Sequence, residues 1–521
     1  MGASNSIPLR TDPYSYTNGR WLHQDELQRQ ARDVRFDFDE LMRVVLRTQP
    51  AAKKVTACEK QEGGFNRVFL ITLDSGHRLA AKIPTSVAGP HRLTTHSEVA
   101  TMEYLRSKTS LPIPTVYAWN DDPSNPVGTE YIIQQYAEGI QLNQAWPSMD
   151  SVQHQHVSKN ISYYMQEMAN LDFPAFGSIY FHDAPFDASK KIALDDSRFC
   201  IGPACLKTFW NCSPGELELY GGPSPNCGPW KDLDSYALGV IETGRSRVPQ
   251  TSMVKRTPLP YQGTVQEHLD LLESSEKVLR RLAQEPHIQQ VSMPILIHPD
   301  MWKRNIFVSE NDPTVITGII DWQSAAARPA FFYVNQIPDF AEPLNDDQQE
   351  ALDDPDTPQK IKAFLKDMDI CAQTYTVVMQ KLVTKLDLAM DLDPTLYRPF
   401  LYSHTTWAYG LVGLQHDLIE LSAEWSNLGL DGQCPYAPSE KEIAIHRENF
   451  EDFETVQKLS LSLVNSIVAE SDGWVPVERW PVAKQEYAKL YRAWMDAARE
   501  SDSLTAEKAD RMWPWDMRPE N

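Results

Sequence analysis

Positive charge is in short supply. The 521 residues carry 49 lysines and arginines against 71 acids, a formal net charge of -22 at pH 7. A protein that grips a polyanion needs a basic face to neutralise its phosphates, so no nucleic acid partner is expected, while a local basic cleft for a nucleotide stays compatible. Cysteine is scarce too. There are seven, an odd number spread along the chain, which reads as reduced thiols inside a cell rather than a disulfide framework. Four of them, Cys200, Cys205, Cys212 and Cys227, fall in one stretch, yet no pair has C-x-x-C spacing and no histidine lies among them, so ordinary buried or loop thiols are expected there. No run approaches the ~18 apolar residues that span a bilayer, so no transmembrane segment is expected. The N-terminus lacks the apolar core of a secretory signal, and there is no internal repeat or low-complexity tract.

The opening "MGASNS" formally fits an N-myristoylation pattern, with Gly2 and Ser6 in place, although a single acyl chain anchors weakly. Arg10, Arg20, Asp12 and Asp25 make no clear mitochondrial presequence, which would be rich in arginine and poor in acids.

What is present is a folded chain. A hydrophobic fraction of 42% and a charged fraction of 23% are those of a globular protein. The length predicts two or three units of ~100–200 residues each. Residues 1–50 read as an N-terminal extension with one amphipathic helix, "FDFDELMRVVLRT", capped by Asp37 with Glu40 in capping-box position. Residues 51–140 turn to strands: "FNRVFLITL" and "HRLAAKIP" joined by the turn "DSG", a helix "THSEVATMEYLRSK" stopped by Pro112 and Pro114, then the strand "TEYIIQQYAEG". Residues 141–521 are mainly helical, with an insertion over about 150–290 and a return to short strands over 295–322. The expected class is α+β: a small sheet region with one key helix, followed by a large helical region.

The chemistry is concentrated in "ILIHPDMWKRNIFV". His298, Asp300 and Asn305 fit H-x-D-x-x-x-x-N, and a turn at "NDP" leads to "GIIDW" with Asp321. Asp300 can orient or deprotonate an acceptor hydroxyl. Asn305 and Asp321 offer hard oxygen ligands suited to Mg²⁺, and a hairpin would return Asp321 beside Asn305. Taken singly, Asp300 reads as a turn residue and Asp321 as a strand-end cap; the spacing of the set carries the functional reading. His298 reads as an anchor of the loop. Upstream, "EGGFNRVFL" sets Gly63, Gly64, Phe65 and Asn66 at a turn where bare backbone can approach a phosphate, though a double glycine alone is more often a plain turn. Lys82 stands alone among apolar strand residues, as a snorkelling edge lysine or as a phosphate-binding cation. On a helical wheel Glu98 shares the apolar face with Met102 and Leu105, whereas Glu103 lies far round the helix, so Glu98 is the expected partner of Lys82. A capping box between Thr95 and Glu98 is the competing account. His96 and Ser97 read as solvated.

With the glycine turn, Lys82, Glu98, the strand "IIQQYAEG", Asp300, Asn305 and Asp321 in that order, the chain resembles the kinase-like aminoglycoside phosphotransferase and choline kinase superfamily. The stretches "DPYSYTNGRWL", "RLTTHSEVATMEYL", "FPAFGSIYF" and "GPWKDLDSY" look like a fungal branch that includes altered inheritance of mitochondria protein nine. The resemblance implies a protein-kinase-like two-lobed fold that binds ATP and Mg²⁺ between residues 51–140 and the helical part, with Gln135, Tyr136 and Ala137 as the hinge for the adenine. It implies a phosphotransferase acting on a hydroxyl of a small molecule. The alternative is a catalytically weak nucleotide-binding regulator or scaffold associated with mitochondria. Some relatives in that branch are mitochondrial, so location stays open between mitochondrion and cytoplasm. A protein kinase is disfavoured, since no A-P-E motif follows Asp321. Members commonly carry a histidine two residues after the catalytic aspartate, where this chain has Trp302 followed by Lys303 and Arg304. A cation there could stabilise the transferring phosphoryl charge or lie on the surface. Asp339, Glu342, Asp346 and Asp347 could attract a cationic acceptor or face solvent, so the acceptor is not identified.

Overall fold

The protein is described here from a computed structural model, which describes residues 12–221, 225–249, 259–334, 336–501, 504–515 and 517. Gly2, Ser6 and Arg10, on which the acylation and presequence readings rest, lie outside the described residues.

Three elements precede the sheet: β1 (Gly19–Trp21), α1 (Asp25–Gln30) and α2 (Phe38–Thr48). The sheet comprises β2 (Val55–Glu62), β3 (Asn66–Leu73), β4 (Arg78–Pro84), β5 (Val116–Asn120) and β6 (Tyr131–Gln135), all antiparallel, in the order β2-β3-β4-β6-β5. The "DSG" turn joins β3 to β4 as expected, with Gly76 at φ 84°, a left-handed conformation that glycine adopts without a Cβ clash. Alternation along β4 assigns its faces. Leu79, Ala81 and Ile83 join Phe69, Ile71 and Ile133 in one cluster with Leu41, Met42 and Val45 of α2. Lys82, between two of these, therefore projects from the opposite face. The Asp37 carboxylate accepts the Glu40 N–H at 2.8 Å, as the cap requires, but the Glu40 side chain turns to Arg43 and Arg47 instead of closing the box.

The opposite face is covered by α3 (Leu93–Lys108). This helix starts two residues before Thr95, whose hydroxyl donates to Glu130 at 2.6 Å, so the competing cap between Thr95 and Glu98 does not form. His96 and Ser97 are not solvated but 4% and 2% exposed. Their cover is a strand, Ser178–Phe181, that packs on α3 and belongs to a three-stranded antiparallel sheet with Ile192–Ala193 and Phe199–Gly202. The segment over 150–290 is thus helical at its two ends, Ser151–Ala169 and Leu233–Ser246 with Val265–Leu282, and sheet-bearing between them. Strands of only two to four residues lack the span over which alternation can be read, which is why the sequence pattern hides them.

After β6 the chain bends at Gly139 (φ 95°), where a Cβ would sit 2.0 Å from the Val308 carbonyl oxygen. Ile140–Gln141 then adds an edge to the hairpin of Ile306–Val308 and Ile316–Ile319. The remaining core is helical, its longest members being Gln359–Leu382, Glu440–Ile467 and Trp480–Glu500. The N-terminal extension is tied to the far end of the chain. β1 pairs antiparallel with Trp474–Pro476, Trp21 Nε1 donates to Asp472 at 2.9 Å, and Trp474 Nε1 donates to the Tyr16 hydroxyl at 2.9 Å. Among the described residues no helix is long and apolar enough to cross a membrane.

Candidate functional site

The site begins with a lysine that the sheet places against α3. Lys82 Nζ lies 2.7 and 2.9 Å from the two carboxylate oxygens of Glu98 and 2.8 Å from Oδ1 of Asp321. Lys82 is 7% and Glu98 3% exposed. Burial opposes the ammonium charge, but Asp321 and Glu98 outweigh it and raise the Lys82 pKa. Burial likewise opposes the Asp321 carboxylate, and Lys82 beside it outweighs that and holds its pKa below the ordinary carboxylate range. Two carboxylates thus share one ammonium; burial, with Asp321 nearby, raises the Glu98 pKa against the pull of Lys82, so Asp321 is the carboxylate of the pair better suited to a divalent cation.

The hairpin supplies the second half. Ile306 pairs with Ile319, and Ile320 N–H donates to the Asn305 carbonyl at 3.0 Å, so Asn305 and Asp321 flank the end of one ladder, as the spacing predicts. Asp321 sits at φ 67°, a left-handed conformation costly for a residue with a Cβ. His298 fixes the loop from below. Its Nε2 faces the Ile320 carbonyl at 2.9 Å, and its Nδ1 accepts the Asp300 N–H at 3.0 Å, which sets the tautomer with the proton on Nε2. Burial lowers its pKa and keeps the ring neutral. It is an anchor, as read from the sequence.

Asp300 is held by its Oδ2, which accepts from Asn305 Nδ2 at 2.9 Å and from the Arg304 guanidinium at 2.8 Å. Among the described residues its Oδ1 has no hydrogen-bond partner. Asn305 Nδ2 also donates to the Asp300 carbonyl at 2.9 Å. With its NH₂ engaged, the group Asn305 can offer a cation is its carbonyl oxygen, a hard ligand like the Asp321 carboxylate. The donor set fits Mg²⁺.

The three departing residues separate. Lys303 is drawn away, its N–H donating to Asp339 at 3.0 Å and its Nζ lying 5.1 Å from the Trp146 ring centroid. Arg304 stacks on Trp302 at 4.6 Å while it reaches Asp300. Trp302 is 40% exposed. Arg304 is therefore the cation at the acid, and the sequence did not distinguish it from Lys303.

At the glycine turn, the Gly63 N–H donates to the Asn66 carbonyl at 2.9 Å, and Arg32 Nε donates to the Gly64 carbonyl at 2.9 Å. A Cβ at Gly64 would meet nothing within 4 Å. The fold itself therefore does not demand glycine there; what glycine supplies is bare backbone on the open side of the turn. Phe65 lies at the tip with Lys207 Nζ 3.2 Å from its ring centroid. Asn66 points inward instead, buried, donating to Gln323 at 2.6 Å and so joining the turn to the segment just after Asp321. Arg32, Lys207 and Gln323 were missed by the sequence reading because each reaches the turn from a remote part of the chain.

At the expected hinge, Gln135 ends the ladder opposite Leu79. The Tyr136 ring carries the Arg78 guanidinium at 3.6 Å, and Ala137 packs on Gly318 of the hairpin. The 135–137 segment thus sits on the same hairpin that carries Asn305 and Asp321.

No protein-family model matches the chain. Among solved structures, it is similar to aminoglycoside phosphotransferase APH(4)-Ia in a ternary complex with AMP-PNP and hygromycin B, at 13% identity over 75% of this chain and 97% of that one, TM-score 0.35. It is similar to aminoglycoside 2'-phosphotransferase-IIIa in its GDP complex, at 14% identity over 74% and 98%, TM-score 0.34. In sequence it is 26% identical over 88% of its length, and 96% of the relative's, to a subtelomeric hrmA-associated cluster protein of Aspergillus fumigatus. It is likewise similar to a protein of the fungal branch that its motifs resemble, altered inheritance of mitochondria protein 9 of Saccharomyces cerevisiae, at 22% identity over 91% of this chain and 88% of that one.

Proposed function

We propose that the chain is an ATP- and Mg²⁺-dependent phosphotransferase that delivers a phosphoryl group to a hydroxyl of a small molecule. The observation that carries this reading is the three-way contact of Lys82 with Glu98 and Asp321, beside a hairpin end that also bears Asn305 and Asp300. Structural ion pairs form between any two elements, but this one joins a phosphate-suited cation, a metal-suited carboxylate and a positioned acid at one place. The nucleotide lies between a small lobe, residues 51–140, and a helical lobe, residues 141–521, with Gly63, Gly64 and Phe65 over its phosphates and the 135–137 backbone beside its base. Asn66 supports the turn from behind.

Asp300 receives the acceptor hydroxyl at Oδ1 and takes its proton as the oxygen attacks. Asn305 and Arg304 hold the other carboxylate oxygen, so the acid cannot rotate away. Lys82 presents its ammonium to the nucleotide phosphates, and Glu98 keeps it from swinging out. When bound, Mg²⁺ held by Asn305 and Asp321 supplies positive charge against the transferring phosphoryl oxygens. A mitochondrial location rests on the name of the yeast relative.

A second reading, a nucleotide-binding regulator or scaffold with little turnover, is favoured by one observation: Arg304 already occupies Asp300 and is pinned by Trp302. A screen of a broad metabolite panel with labelled ATP separates the two. Phosphorylation of one or a few hydroxyl compounds, abolished by Asp300→Asn, supports the first. Tight Mg²⁺-ATP binding with no acceptor in the panel supports the second.

A further inference from the structure

Away from the nucleotide cleft, three different metal-ligating side chains converge inside the helical region. His154, on the helix Ser151–Ala169, meets Asp367 and Cys371, which sit one turn apart on the helix Gln359–Leu382. Their ligand atoms lie within 4.8 Å of one another. The contacts around His154 are ones that a bound cation would also satisfy. One ring nitrogen, Nε2, is 2.9 Å from the Trp146 carbonyl oxygen, and the other, Nδ1, is 2.6 Å from Asp367 Oδ2. A carbonyl and a carboxylate both only accept. A cation on Nδ1, with the ring N–H kept on Nε2 for the Trp146 carbonyl, satisfies both contacts. The Trp146 contact is the outer hydrogen bond that orients a metal-bound imidazole. The second Asp367 oxygen, Oδ1, is buried with no hydrogen-bond partner among the described residues. Cys371 is 1% exposed, and burial pushes its thiol up to about 11 against the smaller opposing pulls of Ser158 and Lys303.

We infer that His154, Asp367 and Cys371 form a zinc site. Nitrogen, oxygen and sulfur together suit Zn²⁺ and not Mg²⁺, which takes oxygen ligands. Binding forms bonds to Nδ1, a carboxylate oxygen and Sγ. It releases the thiol proton and any proton on Nδ1 to solvent. With neutral imidazole, one carboxylate and one thiolate, the buried charge sums to zero. The ion ties together two helices adjacent to the catalytic loop. The His154 ring stacks on Trp146 at 3.9 Å, and Trp146 in turn supports Lys303. The site is independent of the phosphotransfer reading.

The test is elemental analysis of the full chain after zinc loading and desalting, with cobalt substitution as the optical probe. About one tightly held zinc per chain is expected, and the cobalt form should show a thiolate-to-metal charge-transfer band. Cobalt at Asn305 and Asp321 would have oxygen ligands only and give no such band, so Asp321→Asn should retain it. Cys371→Ser should lose it, as should His154→Gln, which serves if the serine variant does not fold. The site is overturned if the unmodified protein shows no charge-transfer band or holds no zinc, or if a folded Cys371→Ser chain keeps the band.

Discussion

One ammonium bridges two carboxylates from distant segments of the chain: Lys82 Nζ lies 2.8 Å from Asp321 Oδ1, across 239 residues of sequence, while also holding Glu98. Removing it leaves Glu98 buried without counter-charge. Lys82→Met should therefore cost ~3–5 kcal/mol of stability, read from the shift in a denaturant midpoint. Adding Glu98→Leu should recover part of that loss, because the stranded carboxylate goes with it. A loss from Lys82→Met below ~1 kcal/mol would show that the pair is solvated.

Asp300 is held through Oδ2 by Asn305 and Arg304, and an asparagine can keep one oxygen in that place. Asp300→Asn should fold normally and bind Mg²⁺-ATP within a few-fold of the unmodified affinity. Phosphoryl transfer should fall by about 10²–10⁴-fold, the usual size of a proton-transfer contribution. Calorimetric nucleotide binding beside a single-turnover assay checks this, and unchanged transfer would remove Asp300 from the chemistry.

Asp321 separates a metal role from a backbone role. At φ 67° a Cβ is strained, so Asp321→Gly should be more stable than Asp321→Ala by ~1 kcal/mol. Both should lose the Mg²⁺ dependence of ATP affinity. Unchanged Mg²⁺-ATP affinity in either variant sinks the metal assignment.

Asp417 gives a pH signature far from the site. It is 4% exposed, and burial raises its pKa from 3.8 to about 7, against the pull of Arg398 at 3.3 Å. Between those two values the folded chain holds this proton and the unfolded chain has lost it. The group's contribution to stability is therefore lost as pH rises from 3.8 to about 7 and is flat above. Asp417→Asn should raise the melting temperature relative to the unmodified protein at about pH 8 and not at about pH 4. Equal shifts at both pH values would refute the assignment.

Trp21, 1% exposed, bonds Asp472 and closes the strand pair between the two ends of the chain. Trp21→Ala should cost ~3–5 kcal/mol. Because Arg32 stacks on Trp21 at 4.2 Å and holds the Gly64 carbonyl, the same change should weaken ATP binding by loosening the glycine turn. Hydrogen exchange of residues 62–66 would report it, and an unaltered turn would show that the clasp and the site are uncoupled.

The legible parts of the site share a property: each is specified over a short stretch. The wheel position of Glu98 comes from its own helix, and the return of Asp321 beside Asn305 comes from a turn and a strand period. His96 and Ser97 were misplaced because a wheel shows which face is more polar, not whether a second layer covers it. Lys303 and Arg304 stood undistinguished because spacing alone does not show that Lys303 turns to the remote Asp339 while Arg304 stacks on Trp302 and reaches Asp300.

The sequence by itself determined which chemical groups exist and the order in which they occur: a lysine in an apolar strand, an inward glutamate, an acid, an amide and a second acid. Local sterics and the periods of helix and strand enforce that much. Only the tertiary structure decided the contacts between remote segments: Asn66 with Gln323 across 257 residues, His154 with Asp367 across 213, and Trp21 with Asp472 across 451. Such contacts follow from how layers pack, and packing at those separations leaves no period in the chain.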